Sequence, residues 1–158
     1  MIARVVLLTG IISEYLYIKK MIWSIILTVI LVGLCLKIHG ITLNYLSKNT
    51  SKKFIYSDFI KISSFLISSH VIQISLFAYY YYFIYHNNPG ADLFEGNLTG
   101  SFLDFFYYSA NCYTTLGTGD IYANANLRIA TSLEALIGLV LIAWTATFKL
   151  SYLFKSRN

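Results

Sequence analysis

The stretch of sequence that decides the fold is residues 101–120, SFLDFFYYSANCYTTLGTGD. Its first thirteen residues, up to Tyr113, are apolar and aromatic, and as a helix they are too short to cross a bilayer core of about 30 Å. Ser101 suits the N-cap of such a helix, and Asp104 falls in its first turn, where the helix dipole favours an acid. A half-length helix before glycine-rich backbone is typical of a re-entrant loop, which membranes tolerate only inside protein or along a water-filled cavity.

The alternating glycines at the end of this stretch favour a particular use of the backbone. Because Gly117 and Gly119 adopt φ > 0 freely, successive carbonyl groups can face the same side. Several such loops around an axis form rings of carbonyl oxygens that can replace the water shell of a monovalent cation. The negative C-terminal end of the preceding helix also favours cations. One loop per chain cannot close a ring, so we expect the chain to assemble with identical copies.

The composition of the whole chain indicates that its solvent is largely lipid. Hydrophobic residues make up 57% of the 158 residues and charged residues 12%, against about 25% charged in a soluble domain, and the mean hydropathy is +0.62. We expect an integral membrane protein with membrane lipid as a partner. The net charge is +5, but the basic residues are dispersed, so no nucleic acid is expected. The sequence contains no Ser/His pairing, HExxH motif or nucleophile elbow, so we do not expect an enzyme.

Three apolar runs are long enough to cross a membrane. The clearest, Ile62 to Tyr85, has twenty-four residues without a charge, and the tyrosine run from Tyr79 to Tyr82 near its end is typical of an interfacial belt. The sequence therefore predicts an all-α membrane protein with three transmembrane helices, a re-entrant pore helix and a filter loop. The predicted segments are an unassigned N-terminal segment 1–20 (a candidate fourth span or an extension), a first transmembrane helix 21–47, a basic cytoplasmic loop 48–61, and a region 62–154 that contains the two remaining spans and the re-entrant segment between them.

The distribution of charge orients these spans. Four lysines and one acid lie between Ser47 and Lys61, whereas the segment from Asn87 to Leu127 contains four acids and no Lys or Arg. The positive-inside rule places the basic loop and the C-terminus in the cytoplasm and the acidic segment outside.

The glycine-rich segment resembles the filter of the potassium-channel superfamily, T-V-G-Y-G. Thr115-Leu116-Gly117-Thr118-Gly119 falls on that motif, Thr114 precedes it, and Asp120 falls on the acid that follows. Tyr107 and Tyr108 occupy the aromatic pair of the pore helix.

The inner-helix sequence EALIGL, from Glu134 to Leu139, is similar to that of a small bacterial two-helix-pore family with an added N-terminal span. The resemblance covers about 62–154 and implies an ion-channel pore domain there, with outer helix 62–86, pore helix 101–114, filter 115–119 and inner helix 127–154. It implies a homotetrameric pore in the bacterial inner (plasma) membrane. It also implies that Thr115, Leu116, Gly117 and Thr118 hold the permeant potassium ion and that no other cofactor is needed. The expected function is passive potassium conduction. The alternatives are a weakly selective channel for monovalent cations (Na⁺ and K⁺) and a non-conducting scaffold or accessory subunit.

One residue departs from the family motif. Thr118 stands where the family has an aromatic residue that packs against the pore-helix aromatics and holds the ring at a set width. Threonine is too small to fill that space, and we expect its hydroxyl to bond instead to Asn111 or to the phenols of Tyr107 and Tyr108. A less firmly held backbone discriminates K⁺ from Na⁺ less well.

Two inner-helix residues have two interpretations each. Glu134 either braces the filter or pore helix, or is an interfacial carboxylate bonded to a nearby hydroxyl. Gly138 is either the hinge at which the inner helix bends to open the gate, or a site of close helix packing.

Overall fold

The computed structural model of the protein describes residues 2–50, 56–124 and 127–155. Long helices are expected from a chain with a single proline, since proline is the residue that most strongly interrupts them. The elements in chain order are α1 (Ile2–Asn49), α2 (Tyr56–Asn87), β1 (Phe94–Gly96), α3 (Phe102–Tyr113), β2 (Ile121–Ala123) and α4 (Leu127–Lys155).

Among the described residues, three helical segments are long and apolar enough to cross a membrane: Ile18–Asn49, Tyr56–Asn87 and Leu127–Phe154. Their number and order agree with the sequence prediction. Helix α1 runs from Ile2 through the predicted boundary at residue 20 without a break, so the backbone of the N-terminal segment continues the first spanning helix. Helix α2 begins at Tyr56, earlier than the predicted residue 62, and the middle of the predicted basic loop, residues 51–55, lies outside the described residues.

Helix α1 packs antiparallel against α2. At the middle of α1, the Ser24 hydroxyl lies 2.6 Å from the hydroxyl of Tyr80, near the end of α2. Near the C-terminal end of α1, Leu43 and Leu46 form a buried cluster with Ile62 and Leu66, against which Phe148 and Tyr152 of α4 pack. The part of the first helix from Ser24 to Leu46 is therefore packed against the other two long helices.

The main core is aromatic and lies where α2, α3 and β1 meet. The ring centroids of Tyr81 and Tyr108 are 5.2 Å apart, and those of Phe94 and Phe105 are 5.4 Å apart. Edge-to-face pairs of this kind contribute about 0.5–1.5 kcal/mol beyond the area that they bury. The predicted tyrosine belt is wrong for part of its run: Tyr80 and Tyr81 are 4% and 0% exposed, whereas Tyr79 is 62% exposed. Consecutive residues of a helix point in different directions, so a run of four cannot share one surface.

Two short strands, which the sequence did not predict, tie the loop after α2 to the chain after the glycine-rich segment. Phe94, Glu95 and Gly96 pair antiparallel with Ala123, Tyr122 and Ile121. Gly96 has φ +111°, and a Cβ there would lie 2.0 Å from the carbonyl oxygen of Asp120, so this approach requires glycine. The pairing fixes the far end of the glycine-rich segment to the end of α2.

Candidate functional site

Helix α3 begins at a reciprocal cap. The backbone N–H of Asp104 donates to the Ser101 hydroxyl at 3.3 Å, and the Ser101 N–H donates to the Asp104 carboxylate at 3.1 Å, which satisfies two N-terminal amides at once. The predicted N-cap and first-turn acid are confirmed. The Thr99 hydroxyl, which also donates to Asp104, leads the interactions that lower the pKa of this carboxyl. A firmly capped start fixes the register of the short helix.

Helix α3 ends half-way along its neighbours, and the chain then turns back. The Tyr113 hydroxyl lies 2.8 Å from His70, near the middle of α2. Seven residues later, the Asp120 carbonyl accepts from the Asn97 N–H at 2.9 Å, beside the strand pair. The glycine-rich segment thus returns to the end of the bundle from which α3 starts.

The backbone of the glycine-rich segment, residues 115–119, alternates in conformation. Thr115, Gly117 and Gly119 have φ of +58°, +58° and +78°, while the residues between them do not lie in the positive-φ region. The sequence predicted this for the two glycines, and Thr115 extends the pattern by one step. A threonine with φ > 0 is uncommon because its branched Cβ crowds the backbone. Strain of this kind concentrates at functional sites.

The same segment lies on the surface of the single chain. Every residue from 115 to 120 is exposed, and the apolar side chain of Leu116 is 70% exposed. Its start is tied to α3, because the N–H groups of Leu116 and Gly117 both donate to the Asn111 carbonyl, at 2.9 and 3.4 Å. One side of the segment is therefore bonded to α3, and its other side is exposed.

Thr118 takes one of the partners that the sequence offered. Its hydroxyl lies 3.2 Å from the Tyr107 hydroxyl and donates to Asp120 at 2.5 Å. Tyr108 bonds instead to Thr131 of α4, at 2.8 Å. The Thr118 hydroxyl, followed by the Tyr107 phenol, holds the pKa of Asp120 below its usual 3.8. Asp120 therefore keeps its negative charge.

A small cavity lies between the glycine-rich segment and α3, beside the small side chain of Thr118. It measures about 30 Å³ and is lined in part by Tyr108, Asn111, Cys112 and Thr118. Asn111 donates its amide to the Tyr107 carbonyl at 2.9 Å, and its buried Oδ1 has no hydrogen-bond partner among the described residues. The predicted bond between Thr118 and Asn111 is not among those observed, so the backing of the segment is polar but incompletely filled.

Glu134 lies inside the chain, not at an interface. It is fully buried, and its carboxylate accepts from the Tyr81 hydroxyl at 2.7 Å and from the Ser109 hydroxyl. These contacts join α4 to α2 and α3. The sequence missed both partners, and the available signal was weak: Ser109 is a small polar residue within an otherwise aromatic helix.

Gly138 has the close contact that one of its two interpretations requires. A Cβ at this position would lie 2.1 Å from the carbonyl oxygen of Tyr113. Its missing side chain therefore lets α4 touch the end of α3. The hinge at Gly138 stays a prediction.

Thr114, predicted to precede the filter, is the C-cap of α3, and its hydroxyl donates to the Ala110 carbonyl at 2.7 Å. In the described part of the chain, no group of three or more His, Cys, Asp or Glu side chains could hold a metal ion.

Comparison with known proteins gives one match. A family model with the description "Ion channel" matches residues 62–155, which contain α2, α3, the glycine-rich segment and α4. Neither a curated protein nor a solved structure matches the chain.

Proposed function

The chain belongs to the ion channel family whose model matches its residues 62–155, a two-helix family within the potassium-channel pore superfamily, and we propose that it forms a homotetrameric, potassium-conducting channel. Residues 115–119 are its selectivity filter. Ions pass down their electrochemical gradient, and K⁺ is held by the backbone at Thr115, Leu116, Gly117 and Thr118.

The observation that carries this proposal is the alternation of positive φ at Thr115, Gly117 and Gly119. In a strand, successive carbonyl groups point to opposite sides, whereas alternating left- and right-handed conformations turn them toward one side. A column of carbonyl oxygens can then replace the hydration shell of K⁺. The negative end of α3 adjoins this column and adds to its attraction for cations.

The exposure of the segment supports a ring made from several copies. A backbone with its polar groups on the surface at membrane depth needs protein or water in front of it. Four copies around an axis supply both, because each segment faces the others across a water-filled pore. The apolar Leu116 side chain then packs against a neighbouring copy.

Acidic groups mark the end of the bundle that we propose to face outward. Asp120 keeps its charge through Thr118, and Glu95 is held by Tyr122 and Asn124 across the strand pair. The bond from Tyr122, followed by that from Asn124, lowers the pKa of Glu95. Negative charge at a pore mouth raises the local concentration of cations. Lys48, Lys61 and Lys149 lie at the opposite end of the bundle, whereas Lys20 lies at this end, beside Asn88. With the acidic end outward, the C-terminus is in the cytoplasm, in an inner (plasma) membrane of bacterial type.

The cavity behind Thr118 favours a second candidate, a channel with weak selectivity among monovalent cations. An incompletely filled space of about 30 Å³ lets the filter backbone shift toward a smaller ion. The bonds from Thr118 to Asp120 and Tyr107 oppose that shift, and for this reason we place potassium first.

Ion flux into liposomes tests the proposal. The purified chain should form tetramers and pass K⁺ faster than Na⁺. Gly117→Ala should lower flux, because alanine at φ +58° costs about 1–2 kcal/mol in each subunit although a Cβ there has open space around it. Gly33→Ala in α1 is the matched control, since its Cβ also has open space and its φ is not positive. Tetramers of the natural chain that pass neither ion would instead support the scaffold alternative.

A further inference from the structure

A chain of hydrogen-bonded side chains joins all four helices at the depth where α3 ends. Its members are His39 of α1, Thr145 of α4, His70, Gln73 and Ser69 of α2, and Tyr113 of α3. His39 and Gln73 are fully buried, and Tyr113 is 1% exposed. Polar groups so far from water are stable only when they bond to one another.

The number of protons that each side chain carries fixes which group donates in each bond at the centre of this hydrogen-bond chain. The Tyr113 hydroxyl donates its single proton to the Gln73 carbonyl oxygen, so it must accept from Nδ1 of His70, which is 2.8 Å away. A neutral imidazole that carries its proton on Nδ1 accepts at Nε2. The hydroxyl of Thr145, 2.9 Å from that nitrogen, is therefore the donor to His70.

The same count extends to the first helix. Thr145 has used its proton on His70, so it accepts from Nε2 of His39 at 3.3 Å. The other nitrogen of His39, Nδ1, is then a bare acceptor, and it is a buried atom without a partner among the described residues. Every bond from His39 to Ser69 consequently runs in one direction, and each intermediate side chain both accepts and donates.

The hydrogen-bond chain ends at Tyr113, the residue that precedes the glycine-rich segment. The Tyr113 side chain is bonded to His70 and Gln73, and its carbonyl is pressed against Gly138. Thr115, the first residue of positive φ, lies two positions further. A shift of the Tyr113 ring therefore moves the start of the segment directly.

We infer that His39, in the helix that precedes the family match, is a positioning residue of the ion filter. It acts through Thr145, His70 and Tyr113, so that α1 contributes to ion selectivity as well as to the packing of the bundle. This inference rests on the proposed channel function.

The test compares His39→Leu with His39→Gln in tetramers reconstituted in planar bilayers. Leucine removes the donor to Thr145, whereas the glutamine amide can replace it. The K⁺/Na⁺ permeability ratio, taken from bi-ionic reversal potentials, should fall by about threefold or more in His39→Leu and stay near the natural value in His39→Gln. Tyr113→Phe, which cuts the last link with little change of shape, should lower the ratio similarly. Tyr79→Phe, at a tyrosine that is 62% exposed, is the matched control.

Assembled His39→Leu tetramers with an unchanged ratio would overturn the inference, as would a loss that glutamine fails to rescue. If His39→Leu does not assemble, Thr145→Val replaces it, because this variant removes the hydroxyl that links His39 to His70; an unchanged ratio in its assembled tetramers would overturn the inference.

Nitrogen NMR of the tetramer gives a readout that does not need ion flux. It should place the protons on Nδ1 of His70 and Nε2 of His39, and the amide signal of Thr115 should move in Tyr113→Phe but not in Tyr79→Phe. If the natural protein passes no ions but shows these tautomers and this shift of the Thr115 signal, the channel proposal fails and the hydrogen-bond chain from His39 to Tyr113 stays supported. The opposite tautomers, or an unmoved Thr115 signal, would defeat the positioning chain alone.

Discussion

Gly138→Ala separates the close-packing and hinge interpretations of the inner helix. An ideal Cβ at Gly138 lies 2.1 Å from the Tyr113 carbonyl oxygen, and ordinary van der Waals contact begins at 3.4 Å. The backbones of α3 and α4 must therefore move apart by about 1.3 Å. Overpacking of this kind costs about 1–3 kcal/mol, and the better helix propensity of alanine returns at most about 1 kcal/mol.

We expect Gly138→Ala to lose about 1–2 kcal/mol of stability and to melt several degrees below the natural protein. The assay is thermal melting of the detergent-solubilised protein, followed by size-exclusion chromatography. Gly33→Ala is the matched control, because it makes the same chemical change in a helix where nothing lies within 4 Å of the added atom. It should melt at or above the natural temperature.

The two variants together decide between the interpretations. Equal melting temperatures for Gly138→Ala and Gly33→Ala would refute the packing argument. Reduced flux at unchanged stability would favour the hinge hypothesis, since alanine stiffens a helix without loosening its contacts.

Three further predictions concern the support of the filter. Glu134→Ala leaves the buried Tyr81 hydroxyl without its acceptor, while Ser109 keeps the Ile74 carbonyl at 2.8 Å, and with the cavity it opens should lower the stability of the protein by about 2–4 kcal/mol; Glu134→Gln, which keeps one acceptor oxygen, should lose less than half of that in the same melting assay. Because the pKa of Asp120 is held below 3.8, its charge persists as pH falls, so K⁺ current should be constant from external pH 7 to about 5. Thr118→Val removes the main hydrogen-bond donor to Asp120 and raises this pKa, so the current of the variant should begin to decline at a higher pH. Identical pH profiles for the two proteins would contradict the role of Thr118 in keeping Asp120 charged. Thr118→Tyr should raise the K⁺/Na⁺ permeability ratio by filling the space behind the filter, and a ratio that falls would show that this space does not limit selectivity.

Local signals in the sequence were enough to predict the short helix α3. Ser101 and Asp104 form a cap that depends on residues three apart, and the apolar run between them and the glycines sets the length of α3. The three long helices follow from uninterrupted hydropathy in the same way. These predictions needed no knowledge of which helix touches which.

Features that depend on how helices face one another were not predictable. The tyrosine run was assigned to one surface, but the helical period buries Tyr81 beside Glu134 and exposes Tyr79. The strand pair consists of three residues on each side, too few to give a periodic pattern. Thr118 had several candidate hydroxyl and amide partners, and only the packed backbone selects Tyr107 and Asp120.

The left-handed conformation of Thr115 had no favourable signal at all. Threonine disfavours φ > 0, so local propensity argues against the conformation observed. The surrounding bonds impose it, because the Thr115 N–H donates to the Cys112 carbonyl at 3.0 Å and the next N–H returns to Asn111. Conflicts between local preference and the observed backbone are expected where function requires them.

In the channel that we propose, backbone oxygens of identical subunits hold dehydrated ions at Thr115 to Thr118. Anomalous diffraction from crystals of the tetramer soaked in thallium, a heavy substitute for K⁺, tests it most directly. We predict a column of peaks on the fourfold axis, each between successive planes of carbonyl oxygens from these residues. A tetramer whose axis carries no thallium at this level, or whose residues 115–119 lie away from the axis, would contradict the account.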